Sequence, residues 1–179
     1  MTPPALPVEG TTSAAAGAPL PADAARQLLR HTVATLAYRG GKTLAGAPAD
    51  FASFRVGDRT RTPAEILAHV GDLLDWALWM ARGEHRWTSS APLPWPREVD
   101  RFFAALAAFD AYLASDAPLG RPAEQLFQGP VADALTHVGQ LAMLRRLAGA
   151  PVRGENYARA EIVAGRVGPA QSAKRVEFD

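Results

Sequence analysis

Two histidines and one aspartate have the residue types and spacing of a metal-ligating set. His137 follows Asp133 by four residues, so both side chains lie on one face of any helix that contains them. His69 belongs to a separate segment, three residues after Ile66 and four before Leu73, and therefore projects from an apolar stripe. Two imidazole nitrogens and one carboxylate oxygen can hold a divalent metal and leave coordination positions open for water or substrate.

Each of these residues also has a structural explanation. A histidine on an apolar face is often a core residue whose nitrogens are hydrogen-bonded to neighbouring groups. The helix dipole favours an aspartate in the first turn of a helix, and Asp133 occupies such a position. From the spacing alone, a metal site and a structural role for His69 and His137 both stay open.

Other candidate residues have weaker patterns. The sequence Gly40-Gly41-Lys42-Thr43 resembles the end of a phosphate-binding loop, but Leu36 stands where that motif requires glycine, and no strand precedes it. His85, between Glu84 and Arg86, is predicted at the surface. His31 is ambiguous, because its neighbours in the sequence are polar.

Acidic and aromatic residues surround His69 in the sequence. Asp72 and Asp75 follow it by about one and nearly two helical turns, so either could orient a metal ligand, although a solvated position is favoured for Asp75. Four tryptophans cluster around the same segment and its exit. Core packing is the favoured interpretation, and a wall for an apolar substrate or a partner surface is the alternative. They are Trp76, Trp79, Trp87 and Trp95.

Length and composition restrict the classes of protein that are possible. The 179 residues suit one domain, and 48% hydrophobic with 21% charged residues predict a folded chain. A formal net charge of +1 gives no field that would favour nucleic acid or an anionic membrane, so neither is expected as a partner. Without cysteine there is no disulfide and no thiolate ligand, so a metal must use His, Asp, Glu or water.

The two ends of the chain are predicted to be irregular. Residues 1–20 are rich in Pro, Ala, Gly and Thr without periodicity, which predicts a flexible arm. This segment does not resemble a secretory signal, and no apolar run approaches the length of a membrane span, so a cytoplasmic location is expected. Residues 152–179 are predicted to form an irregular tail packed on the domain, with a turn near 158–163.

Four segments with helical periodicity must position the candidate ligands. The first starts at Ala22 and either ends at Gly40-Gly41 or continues to Leu44. A long connection over 46–61, held to the core by its aromatics, leads to the second helix. That helix opens with a capping box, with Thr62 as N-cap, and closes at Gly83.

The third and fourth helices follow. The third is predicted over about 97–114, and the fourth begins after Gly129, with Pro130 at its first position, and stops at Gly149. With no sustained β alternation, the prediction is an all-α fold in which residues 21–151 form a four-helix bundle, of up-down-down-up or similar order.

The segment DALTHVGQLAMLRRLAG, from Asp133 to Gly149, resembles the last core helix of the DinB-like family, and LAHVGDLLDWALWM resembles its second helix. The resemblance covers roughly residues 22–150. Members are four-helix bundles, often dimeric, with a typical three-histidine site. Matched residue by residue, the implied ligands here are His69, Asp133 and His137. Asp133 stands where the usual pattern has histidine, which shifts the metal preference toward Fe, Mn or Zn; Ni is the fourth candidate.

The family resemblance implies a function as well. DinB-like proteins include metal-dependent S-transferases and related isomerases acting on low-molecular-weight thiols. By analogy, a metal bound here would lower the pKa of a thiol and prepare it for attack on an electrophile, and a hydrolase using bound water is the close variant. The alternative is a non-catalytic helical protein, a dimer or binding protein, whose core histidines are structural.

Overall fold

The computed structural model describes residues 22–178, so the predicted arm over residues 1–20 lies outside the described part. The fold is mostly helical, which confirms the predicted all-α class. Its helices are α1 (Ala22–Leu44), α2 (Pro63–Ala81), α3 (Trp95–Ala114), α4 (Ala123–Leu126) and α5 (Ala132–Leu147), and a π-helical turn (Phe127–Val131) joins the last two. Two short strands, β1 (Gly154–Glu155) and β2 (Glu177–Phe178), pair antiparallel, with Gly154 opposite Phe178.

One hydrophobic core lies between the long helices. Both α1 and α2 pack against α3 and α5, so each helix contributes one apolar face to a shared interior. The largest fully buried side chains come from all of these helices and from the connection after α1, and they include Leu36, Phe51, Leu74, Phe102, Phe109 and Leu141. Within residues 22–178, none of the helices combines the length and the apolar character that crossing a bilayer requires.

The first helix continues through its glycine pair, where the missing side chain of Gly40 makes room for a neighbouring helix. A Cβ atom on Gly40 would lie 2.5 Å from Cζ of Phe102, so only glycine allows α3 to pack this closely. Of the two predicted ends of this helix, the structure shows the later one, at Leu44. The following connection is held by Phe51, which is fully buried, and by Phe54, which packs against the core.

The second helix begins as predicted. The Thr62 side chain accepts a hydrogen bond from the Glu65 backbone N–H, and the Glu65 carboxylate accepts one from the Thr62 backbone N–H. Both halves of the capping box are thus present. Gly83 follows the helix with a φ of +83°, in the left-handed region that favours glycine.

The predicted start of the fourth helix was wrong. Helical structure begins at Ala123, and Pro130 lies inside the π-helical turn instead of at a helix start. Proline disrupts a regular α-helix because it lacks the N–H donor and its ring contacts the carbonyl four residues before. A wider π turn relieves that contact, so the chain stays helical where the proline pattern predicted a beginning.

Buried charges attach the C-terminal tail to α1. Lys42 belongs to the Gly-Gly-Lys-Thr sequence that only partly matches a phosphate-binding loop. Its Nζ atom lies 2.8 Å from Glu155 and 2.8 Å from Glu177. The Tyr38 hydroxyl donates to the other Glu155 oxygen at 2.7 Å. The tail includes the strand pair and a 3-10 turn over Tyr157–Arg159, and it places Val167 in the core.

Candidate metal centre

Two helices bring the three predicted ligands together. His69 lies on α2, while Asp133 and His137 lie one turn apart on α5, and these two helices pack directly against each other. One donor atom from each side chain can be chosen so that all three lie within 4.8 Å of one another. The described residues therefore contain a His–Asp–His group that could hold a metal ion.

The distances within this group are close to those of a metal site. The His137 Nε2 atom lies 3.5 Å from Asp133 Oδ1, and the His69 Nε2 atom lies 3.9 Å from Asp133 Oδ2. Donor atoms bonded at about 2.0–2.1 Å to a tetrahedral metal lie about 3.3 Å apart. Both carboxylate–imidazole distances are somewhat longer than this spacing, and the donor set suits a borderline divalent metal.

A hydrogen bond fixes the ring of His137. Its Nδ1 atom is 2.8 Å from Gln140 Oε1, one helical turn further along α5. A proton on Nδ1 donated to this amide oxygen leaves Nε2, the atom that faces Asp133, with a free lone pair. Metal-ligating histidines commonly hold their second nitrogen in this way.

The electrostatic environment of His69 favours its neutral form, in which a ring nitrogen can bind a metal. Burial is the main reason why the pKa of His69 lies below its usual range, and repulsion from His137 and Arg61 lowers this pKa further. Attraction to Asp133 and Asp72 opposes the shift without cancelling it. The two imidazole rings lie 4.8 Å apart between centroids, so two protonated rings would repel each other.

The group lies at the margin of the core. The side chains of His69 and His137 are 22% and 13% exposed, and that of Asp133 is 48% exposed. Fully enclosed core histidines would be less accessible than this. A cleft of about 230 Å³ reaches His69, and a shallow groove of about 690 Å³ reaches His137. A small molecule can therefore approach both imidazoles.

An aromatic wall stands beside His69. The Trp87 ring, in the segment after α2, packs edge-to-face on His69 at 5.8 Å and on Trp76 at 5.6 Å between centroids. Trp87 is 47% exposed, whereas Trp76 and Trp95 pack against the core. Packing thus explains Trp76 and Trp95, and Trp87 fits the alternative of a wall beside the site. Trp79 stacks with Arg82 and Arg86.

Asp72 does not orient His69, which was one of its predicted roles. Its carboxylate accepts hydrogen bonds from the Ser90 backbone and hydroxyl and from Arg101. Arg101 also contacts Asp75, at 2.9 Å. Asp72 therefore anchors the segment that carries Trp87, three residues before Ser90.

The remaining histidines stay apart from the group. His31 and His85 are both exposed, as predicted for His85. Arg61 was missed at the level of sequence, although it lines both the cleft and the groove. No helical periodicity could have identified it, because Arg61 precedes the N-cap of α2 and lies outside the helix.

Comparison with known proteins yields no relative: no protein-family model, curated protein or solved structure matches the chain.

Proposed function

We propose that this chain is a DinB-like protein of the four-helix-bundle type, which binds one divalent metal through His69, Asp133 and His137. The observation that carries the proposal is the convergence of these three donors from two helices, together with the hydrogen bond that directs Nε2 of His137 toward Asp133. The quoted sequence resemblance supports the same three residues. The metal is Zn, Fe, Mn or Ni.

The proposed activity is that of a metal-dependent transferase or hydrolase acting on a small thiol-containing substrate. When bound, a divalent metal would supply Lewis-acid activation and lower the pKa of a thiol or water. The chain itself would supply the rest. The Asp133 carboxylate and one nitrogen of each imidazole would hold the ion, while Gln140 fixes one ring and Trp87 limits access from one side.

Metal uptake tests the proposal directly. Protein purified without chelator is dialysed against Zn²⁺, and the bound metal and melting temperature are measured with and without chelator. We expect one ion per chain. At a free concentration a hundred times the Kd, binding stabilises the fold by about 2.7 kcal/mol. For a chain of this size, that corresponds to a rise of about 5–11 °C.

Four variants assign the ligands. His69→Ala, His137→Ala and Asp133→Asn should each lose most of the metal and the metal-dependent stabilisation, whereas His85→Ala, at an exposed histidine outside the group, should retain both. If wild-type protein takes up no divalent metal, and the histidine variants behave as ordinary packing mutants, the proposal is wrong and the structural role remains.

The second candidate is a non-catalytic dimer or binding protein. It is favoured by an apolar groove of about 600 Å³ between α1 and the start of the fourth helical segment, where Leu28 is 57% and Phe127 is 45% exposed. Sedimentation of wild type and Leu28→Glu tests this candidate. A dimer that Leu28→Glu disrupts, in a protein that takes up no metal, would favour it over the enzyme.

A further inference from the structure

Arg61 lies at the edge of the His–Asp–His group without an anionic partner. It is exposed, directly precedes the N-cap of α2, and lines both the cleft of His69 and the groove of His137. Its charge is near enough to His69 to repel a proton from that ring. Over residues 22–178, the structure shows no ion pair or hydrogen bond of the Arg61 side chain.

The acidic side chains around Arg61 are already engaged. Glu65 accepts hydrogen bonds from Thr62 and lies 3.3 Å from Arg55. Asp72 is bonded to Ser90 and Arg101. The guanidinium of Arg61 therefore lines the cleft without forming an ion pair with either of these carboxylates.

A bound divalent metal would increase this imbalance. Two neutral imidazoles and one carboxylate leave a divalent ion with a net positive charge, and Arg61 adds a second cation at the same opening. An anionic ligand would balance both charges. Arginine suits this role because its planar donors match the two oxygens of a carboxylate.

We propose that Arg61 is the specificity-determining residue of the site, and that it selects small thiols that carry a carboxylate. The sulfur of such a ligand would occupy the open side of the metal, and its carboxylate would pair with the guanidinium. This inference rests on the proposed metal-dependent function and names its substrate class.

Binding to the Co²⁺-loaded protein tests the inference without an activity assay. The visible absorption of bound Co²⁺ reports first on metal uptake and then on the arrival of a sulfur ligand. The protein is titrated at one pH with 3-mercaptopropionate, which carries a carboxylate, and with neutral 2-mercaptoethanol. The measured quantity is the ratio of the two dissociation constants. Intrinsic differences between the two thiols affect this ratio equally in every variant, so a change of the ratio reports on the substitution.

Three variants isolate the contribution of Arg61. Arg61→Gln should reduce the preference for 3-mercaptopropionate about tenfold, the effect of losing one charged hydrogen-bonding partner. Arg61→Lys should keep part of the preference, because it retains the charge and loses the paired donors. Arg59→Gln removes the same charge from an exposed arginine outside both linings and should leave the ratio unchanged.

The possible failures are distinguishable. If Arg61→Gln takes up Co²⁺ normally and keeps the wild-type ratio, the specificity proposal is overturned and the metal site stands. An equal change of the ratio in Arg59→Gln would also overturn it, because the effect would then follow net charge alone. If wild-type protein shows no Co²⁺ absorption, the proposed function fails, and this inference fails with it.

Discussion

Replacing Asp72 with asparagine should destabilise the segment that forms the wall of the candidate site. The Asp72 side chain is 3% exposed and accepts hydrogen bonds from the Ser90 backbone at 2.9 Å, the Ser90 hydroxyl at 2.7 Å and Arg101 Nη2 at 2.5 Å. Asp72→Asn keeps the shape of the side chain and one carbonyl acceptor, but it removes the negative charge to which all three groups donate hydrogen bonds.

The expected magnitude follows from burial and from the contacts that remain. Neutralising one partner of a buried ion pair costs about 3–5 kcal/mol. Arg101 keeps Asp75 at 2.9 Å, so the loss should fall near about 3 kcal/mol. For a chain of this size, that lowers the melting temperature by about 6–12 °C. Asp75→Asn is the matched control, because Asp75 contacts the same arginine but is 45% exposed, and it should cost less than about 1 kcal/mol.

The effect should depend on pH in a defined direction. Burial alone would raise the pKa of Asp72, but hydrogen bonds from Arg101 and Ser90 outweigh burial and hold this pKa below its usual value. The contribution of Asp72 is therefore complete above the unfolded-state pKa of about 3.9 and is lost as the pH falls through the folded-state pKa. The difference between wild type and Asp72→Asn should be full at pH 7 and shrink below about pH 4.

Denaturant unfolding followed by far-ultraviolet circular dichroism measures both variants across this pH range. Hydrogen exchange at the Ser90 amide adds a local readout, because that N–H donates to Asp72, and its protection should fall in Asp72→Asn. Equal destabilisation by Asp72→Asn and Asp75→Asn, or a difference that does not change with pH, would refute the assigned role.

Further variants test other parts of the structure. Lys42→Met should cost about 3–5 kcal/mol in denaturant unfolding because it leaves buried Glu155 without its cation, and adding Glu155→Gln should recover part of that loss. Gly40→Ala should destabilise the fold by about 1–3 kcal/mol, because the new methyl group meets Phe102. Gly139→Ala, in α5 with nothing within 4 Å of the added carbon, should instead stabilise it by up to about 1 kcal/mol in the same assay. Gln140→Ala should weaken Zn²⁺ binding about 10–100-fold in titration calorimetry, and an unchanged affinity would contradict its positioning role.

The convergence of the candidate ligands was predictable because it depends on regular helices. The spacing of four between Asp133 and His137 fixes their common face, and the apolar stripe around His69 turns that residue toward the neighbouring helix. The α2–α5 contact then completes the group. The helical period does not determine how deeply a side chain is buried. The position of the group at the margin of the core is therefore known only from the structure.

The residues whose positions could not be predicted lie mainly outside the regular part of the helices. Trp87 and Arg61 lie just outside the ends of α2, where no periodicity fixes the direction of a side chain. Lys42 matched part of a phosphate-loop pattern but is buried against Glu155, a partner 113 residues away. Long-range pairing of this kind leaves no local signal in the sequence.

The π-helical turn keeps the chain buried just before the helix that carries two of the candidate ligands. Leu126 and Val131 are both fully buried although they are five residues apart. Five residues of an α-helix turn through about 500°, which would place these side chains about 140° apart. The wider π turn brings them to one face, and the buried positions then continue along α5 at the usual spacings of three and four, as Ala134, Val138 and Leu141.

Asp133 and His137 each precede one of these buried residues by a single position, so they lie about 100° from the centre of the apolar face, at its border with solvent. That border faces His69 on α2. The π turn therefore keeps Leu126 and Val131 on one face, and Asp133 and His137 follow at the border of that face, where Asp133 lies beside His69.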